Sequence, residues 1–130
     1  MAKVIWRDAP EEHDYPAAHS YLSLLAPFHD VATIIENLRS AEVESFKAKD
    51  VIRASQSNFL GKDNFHVNRD LKKIAKREPL TPLLLVRGSG SKLLPLTIAD
   101  GYHRACAVYW NNEDGFINAK VADWPSSVES

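Results

Sequence analysis

Thr97-Ile98-Ala99-Asp100-Gly101-Tyr102-His103-Arg104-Ala105-Cys106-Ala107-Val108-Tyr109-Trp110 changes period halfway along, and that change decides the fold. Residues 93–99 read as a strand, with Leu94, Leu96 and Ile98 on one face. From Tyr102 onward the spacing becomes helical. Tyr102, Ala105, Cys106, Tyr109 and Trp110 fall at i, i+3, i+4, i+7 and i+8, a stripe expected to be buried. Asp100-Gly101 sits at the junction. Asp is a favoured N-cap, and Gly permits a tight turn and close approach by another group.

Working outward, residues 111–115 end this helix, and 116–122 form a last strand with Ile117, Ala119 and Val121 on one face. Upstream, the loop Gly88-Ser89-Gly90-Ser91 follows a short apolar run, 83–87, which reads as a buried strand. Before it, a helix starting near Asn64 and ended by Pro79 carries Val67, Leu71, Ile74 and Ala75 on one face. Residues 43–48 alternate as a short strand and 49–55 as one or two helical turns, followed by a polar loop over 56–64. Val31, Ile34, Ile35 and Leu38 make an amphipathic stripe with Asp30 as its expected cap. Pro27 divides that helix from an earlier one, capped by Asp14, with Pro16 in its first turn and carrying Tyr21, Leu24 and Leu25. Residues 1–14 read as an arm that is ordered only if something packs on Trp6. The order predicts an α+β fold: a small mixed β-sheet flanked by helices, with extra N-terminal helices. Residues 83–87, 95–100 and 117–122 should share one sheet, and 101–111 should be a helix.

Composition narrows the function. The 130 residues suit a single domain with one core. With 16 basic and 17 acidic residues, no global field draws in nucleic acid or an anionic membrane. No apolar run reaches the 18 residues of a membrane span, and residues 1–16 are too polar and acidic for a secretory signal. Cys106 is the one cysteine, so no internal disulfide can form, and its place on the apolar stripe predicts a buried, quiet thiol. The cytoplasm is the default compartment. His13, His19, His29, His66 and His103 lack ligand-like spacing, so no metal site made by the protein alone is expected.

Function is concentrated in Asp100-Gly101-Tyr102-His103-Arg104. A helix N-terminus carries unpaired N–H groups and partial positive charge, which suits an anion. Arg104 offers a planar fork of donors, and His103 donates from either nitrogen. Equally, Asp100 is an ordinary cap and Arg104 a partner for an acid, and spacing alone does not choose. The run Lys72, Lys73, Lys76, Arg77 reads first as the wet face of a helix. Lys47 and Lys49 read either as edge-strand guards or as anion contacts. Trp6, Trp110 and Trp124 read as core or interface anchors.

Residues 66–124 resemble the core of the ParB/sulfiredoxin-like superfamily. The likeness rests on the helix Val67-Asn68-Arg69-Asp70-Leu71-Lys72-Lys73-Ile74, on Leu80-Thr81-Pro82 leading into Leu83-Leu84-Leu85-Val86-Arg87-Gly88, on Asp100-Gly101-Tyr102-His103-Arg104, and on Ile117-Asn118-Ala119-Lys120-Val121. The resemblance implies a 64–124 core after a variant helical part over 15–55. It also implies nucleotide phosphates held at Gly101, the Tyr102 backbone, His103 and Arg104. Candidate ligands are then ATP, ADP or CTP with Mg²⁺, or another phosphorylated small molecule, with Asp100 facing the nucleotide-borne metal. Asp-Gly-x-His-Arg is similar to the ADP-dependent free-serine kinases of the superfamily. That likeness makes Asp100 and His103 the weak catalytic candidates, with Glu44 and Asp50 as positional candidates for an acidic base. The chain departs from its relatives in two ways. Tyr102 stands where sulfiredoxins carry their nucleophilic cysteine, and only residues 125–130 follow Trp124, so no helix-turn-helix and no specific DNA binding are expected. Two functional readings stay open: a nucleotide- or phosphate-binding protein, with phosphoryl transfer as a chemistry it could support but does not require, and a non-catalytic interaction module on the same fold. Homo-oligomerisation is compatible with both.

Overall fold

A computed structural model describes residues 1–88 and 94–125. Its central strand is β2 (Leu83–Arg87), in which four consecutive residues are buried. Strands β3 (Thr97–Asp100) and β4 (Phe116–Asp123) flank it, β3 antiparallel and β4 parallel, so that Leu84 lies opposite Asp100 on one side and Lys120 on the other. Strand β1 (Glu44–Lys47) pairs antiparallel with the outer edge of β4, completing a mixed sheet in the order β1-β4-β2-β3.

Successive side chains of a strand point to opposite faces. Leu83 and Leu85 therefore enter one buried cluster with Ile117 and Ala119, under helices α3 (Ala48–Ser55), α4 (Phe65–Ala75) and α5 (Tyr102–Asn111). Leu84 and Val86 enter a second cluster under α1 (Asp14–Leu22) and α2 (Phe28–Ser40). A strand covered on both faces reads as an unbroken apolar run, as 83–87 does. The α+β architecture and the strands at 83–87, 97–100 and 117–122 agree with the sequence reading, and β1 joins them.

Several details differ. Helix α5 packs against α3, α4 and the sheet, so its buried set is Ala105, Cys106, Ala107 and Val108. Trp110, expected on the stripe, is 37% exposed, and its indole N–H donates to the Leu60 carbonyl at 2.8 Å. Helix α1 ends at Leu22 and buries Tyr15, Ala18 and Leu22, while Tyr21, Leu24 and Leu25 face outward. Asp14 does not cap α1. Its carboxylate accepts from the Glu11 N–H at 3.0 Å, closing the turn before the helix. Pro27 occupies the α2 N-cap, with Asp30 inside the first turn. Strand β3 starts late because Pro95 has no N–H and the Leu96 N–H donates instead to the Ala54 carbonyl at 2.9 Å. Leu94 is exposed. Leu93 and the residues Ser89-Gly90-Ser91 of the expected loop lie outside the described residues.

The arm is ordered as its condition required. Trp6 packs on the first cluster and bridges to Leu80 in parallel. The Arg7 N–H donates to the Leu80 carbonyl, and the Leu80 N–H to that of Ile5, both at 2.8 Å. This lays the arm beside the segment entering β2. Among the described residues, no helix is long and apolar enough to cross a membrane.

Candidate functional site

The turn from β3 to α5 is built around Gly101, the N-cap of α5, at φ +102° in the left-handed region. A Cβ there would sit 2.6 Å from Leu83 Cγ and 2.7 Å from Arg104 Nη2, so both conformation and space demand glycine. Asp100, expected to cap the helix, does not. Arg104 Nη2 donates to Asp100 Oδ2 at 2.8 Å, and Arg104 Nη1 donates to the Thr81 hydroxyl. The two charged side chains are only 16% and 20% exposed. Two consequences follow. No side chain caps α5, so its opening N–H groups, which have no partner within the helix, are not blocked by Asp100. Of the two readings the sequence left open for Arg104, the structure shows the partner of an acid: it pairs with Asp100 and clamps this turn to the Thr81 segment.

The helix opens onto a cleft of ≈ 360 Å³ walled by four segments. The β3–α5 turn forms one wall. Helix α4 supplies Arg69, Asp70 and Lys73. The chain entering β2 supplies Leu80 and Thr81, and the arm supplies Arg7 with the Glu11–Asp14 turn. Lys73 and Arg7 make no ion pair among the described residues, and Arg69 reaches only Asp70, at 4.0 Å. Three cations therefore face the cleft with little committed elsewhere.

Its carboxylates differ from one another. Burial pushes Asp100 above the usual carboxylate range, although Arg104 pulls the other way. Burial raises Asp70 too, against the nearby charges of Arg69, Lys73 and Arg104. Asp70 is 3% exposed, and among the described residues no hydrogen bond reaches its carboxylate. Glu11 and Asp14 are occupied, both meeting His13, at 3.2 and 3.4 Å. His103 stacks beside His66 with ring centroids 4.6 Å apart. Burial, then the neighbouring His66, holds its imidazole below the ordinary value, so it is neutral at pH 7, with one nitrogen donating and one accepting.

All five residues picked out in the sequence, Asp100 to Arg104, line this cleft. Glu44 and Asp50 do not. Glu44 is exposed on the edge strand β1, and Asp50 pairs with Arg53 at 3.2 Å beside a separate apolar hollow. Neither lines the cleft, so neither is placed there as the acidic base. Lys47 and Lys49 instead reach Asp114, at 3.9 and 2.7 Å. Of the basic run, Lys73 lines the cleft, whereas Lys72, Lys76 and Arg77 are exposed. The sequence reading missed Arg7, Arg69 and Asp70. Asp70 had a detectable signal: it stands between Val67 and Ile74 at helical spacing, a lone acid on the buried stripe. The stripe members assigned in its place are less enclosed, Leu71 half-buried and Ala75 exposed. Cys106 is buried, and burial raises its thiol, as an inert cysteine requires. Among the described residues no group of three or more His, Cys, Asp or Glu side chains could hold a metal ion. Compared with known proteins, the chain matches no family model, no curated protein and no solved structure.

Proposed function

We propose that this cleft binds the phosphate of a small molecule, a nucleotide such as ATP, ADP or CTP in the first instance, in a protein related to the ParB/sulfiredoxin-like superfamily. One observation carries the reading. The N-terminus of α5, which no side chain caps, lines a cleft that Arg7, Arg69 and Lys73 also line. N–H groups at the positive end of a helix favour an anion, and the side-chain cations add charge-assisted donors. The Asp100–Arg104 pair supports it further. A carboxylate beside the turn would repel a bare phosphate, but Arg104 already balances that charge at 2.8 Å. Phosphate then needs no Mg²⁺ to approach Asp100, and Asp100, held by Arg104, is poorly placed to ligate a nucleotide-borne metal. Positioning and charge stabilisation are what phosphoryl transfer asks of a protein, and these residues supply both. Neutral His103 adds a donor or an acceptor at the helix start.

The second reading is a non-catalytic interaction module. It draws on the same clamp, because an Arg104 satisfied by Asp100 and Thr81 is what a purely structural turn would show.

Thermal unfolding with ATP, ADP, CTP, GTP and inorganic phosphate, each with and without Mg²⁺, separates the readings. A binder present near 100 times its Kd adds about 2.7 kcal/mol of stability. Lys73→Gln, at a side chain with no ion pair to lose, should weaken that response sharply, at the modest stability cost of removing one of the cations near Asp70. A flat panel with the wild-type protein would leave the interaction module as the better account.

A further inference from the structure

We propose that the ligand of this cleft carries a neutral hydroxyl beside its phosphate, and that the Asp70 carboxylate accepts that hydroxyl's hydrogen bond. This rests on the phosphate-binding reading above and names the second half of what the cleft recognises.

The cleft contains four carboxylates, and three are occupied. Asp100 accepts from Arg104 at 2.8 Å, Asp14 accepts from the Glu11 N–H at 3.0 Å, and Glu11 meets His13 at 3.2 Å. Asp70 is the most enclosed of the four and has only the Arg69 Nε at 4.0 Å, beyond hydrogen-bond reach. Among the described residues, no fully enclosed polar side-chain atom lacks a partner. The unpaired Asp70 oxygens must therefore keep the small remaining exposure of this side chain, and Asp70 lines the cleft. A carboxylate held this way is costly unless a donor reaches it.

The surroundings select the donor. Arg69, Lys73, Arg104 and His103 all lie close enough to act on Asp70 electrostatically. A ligand ammonium or a divalent cation placed there would face three fixed positive charges. A hydroxyl brings a donor and no charge. It would enter beside the α5 N-terminus, where the phosphate is proposed to sit, so one molecule bearing both groups spans the two subsites.

Two probe pairs test this by calorimetry, with inorganic phosphate as the common reference. Glycerol 3-phosphate is compared with propyl phosphate, and AMP with its 2′,3′-dideoxy analogue. The wild-type protein should bind the hydroxylated member of at least one pair about tenfold or more tightly than its partner. Which pair discriminates tells a small polyol phosphate from a nucleotide ribose. In Asp70→Ala that ratio should fall to near one, with affinity for inorganic phosphate retained. Should Asp70→Ala fail to fold, the near-isosteric Asp70→Asn must still lower the ratio. Phosphate binding without discrimination in either pair, or an unchanged ratio in the Asp70 variants, overturns this inference and spares the phosphate site. No binding of any probe, inorganic phosphate included, overturns both.

Discussion

The dipeptide Asp-Gly occurs at both ends of α5, and the two copies behave oppositely. At the C-terminal end, Asp114-Gly115 lies in an exposed turn. The Asp114 N–H donates to Asn112 Oδ1 at 3.0 Å, the Gly115 N–H to the Asn112 carbonyl at 2.8 Å, and Lys49 grips the Asp114 carboxylate at 2.7 Å. Lys49 holds that carboxyl below its ordinary range. At the N-terminal end, Asp100 has its own cation at 2.8 Å, yet burial leaves it above the ordinary range. A carboxylate partnered in water is settled by its ion pair, whereas one partnered inside a cleft keeps a desolvation cost that its partner does not cancel. Unrelieved desolvation of this kind gathers around Asp100 and Asp70, in the same cleft, and such concentrations accompany binding sites more often than surface turns.

The largest expected contrast is in the glycines. Gly101→Ala forces a side chain into a left-handed residue and against Leu83 and Arg104, and should cost about 3–4 kcal/mol from backbone strain and overpacking together. Gly115→Ala meets only Asn112, most closely its carbonyl oxygen at 3.0 Å, without a positive φ, and should cost less than about 1 kcal/mol. Urea unfolding of both variants measures the difference, and equal losses would dissolve the contrast. Next comes Arg104→Ala. It strands Asp100 with its charge largely buried and frees Thr81, so a loss of about 2–3 kcal/mol is expected, below that of a fully enclosed pair because both groups keep some exposure. The clamp seen here makes Lys73 the cleaner position for testing ligand binding.

Asp70 sharpens the comparison in the other direction. Asp70→Asn keeps the shape and removes the unpaired charge, so it should raise stability at pH 7 by about 1 kcal/mol while weakening the site. The pH dependence carries the sign. Asp70 and Asp100 bind protons more readily folded than unfolded, so between their ordinary and raised values the native state holds more protons. Stability contributed by these two groups therefore falls as pH rises above about 4. In Asp70→Asn that decline should be shallower. A wild-type curve whose Asp70 component rises over the same window would mean that a partner holds this carboxylate.

The elements around this site were legible because their periods are strong. The run 83–87, the alternation in 116–122 and the stripe of Val31, Ile34 and Leu38 each reflect burial that local sequence records. The Asp100–Arg104 turn was legible for the same reason, since a strand period gives way to a helix period at a glycine. What sequence did not record is pairing between distant segments. The Asp100–Arg104 pair is local, four residues apart, but that Arg104 also reaches Thr81 across 23 residues depends on where β2 and β3 meet. Arg7 entered the cleft because the arm pairs with Leu80, a bridge that no local pattern announces. Asp70 was passed over for another reason: an apolar stripe invites the eye to skip its one acid.

The smallest effect belongs to the other end of α5. Lys49 and Asp114 are exposed and joined at 2.7 Å, with Lys47 at 3.9 Å. Asp114 is held below its ordinary range and Lys49 above its own, in each case first by their mutual hydrogen bond. The Asp114 contribution is thus present above the ordinary carboxylate range and fades as pH falls through it. The Lys49 contribution is present below the ordinary lysine range and fades as pH rises past it. Between those limits the pair acts with both charges on, yet in water, where salt screens it and side-chain ordering offsets most of the attraction. Asp114→Ala should therefore barely move the urea midpoint at pH 7. What little it moves should vanish in about 1 M salt, where the screening length is about 3 Å. The turn survives because its backbone bonds do not use the carboxylate: the Ala48 N–H donates to the Gly115 carbonyl at 2.8 Å, and the Lys49 N–H to that of Glu113 at 3.0 Å. A loss as large as that of Arg104→Ala would show that the same dipeptide does the same work at both ends of the helix, and the distinction drawn from burial would fail.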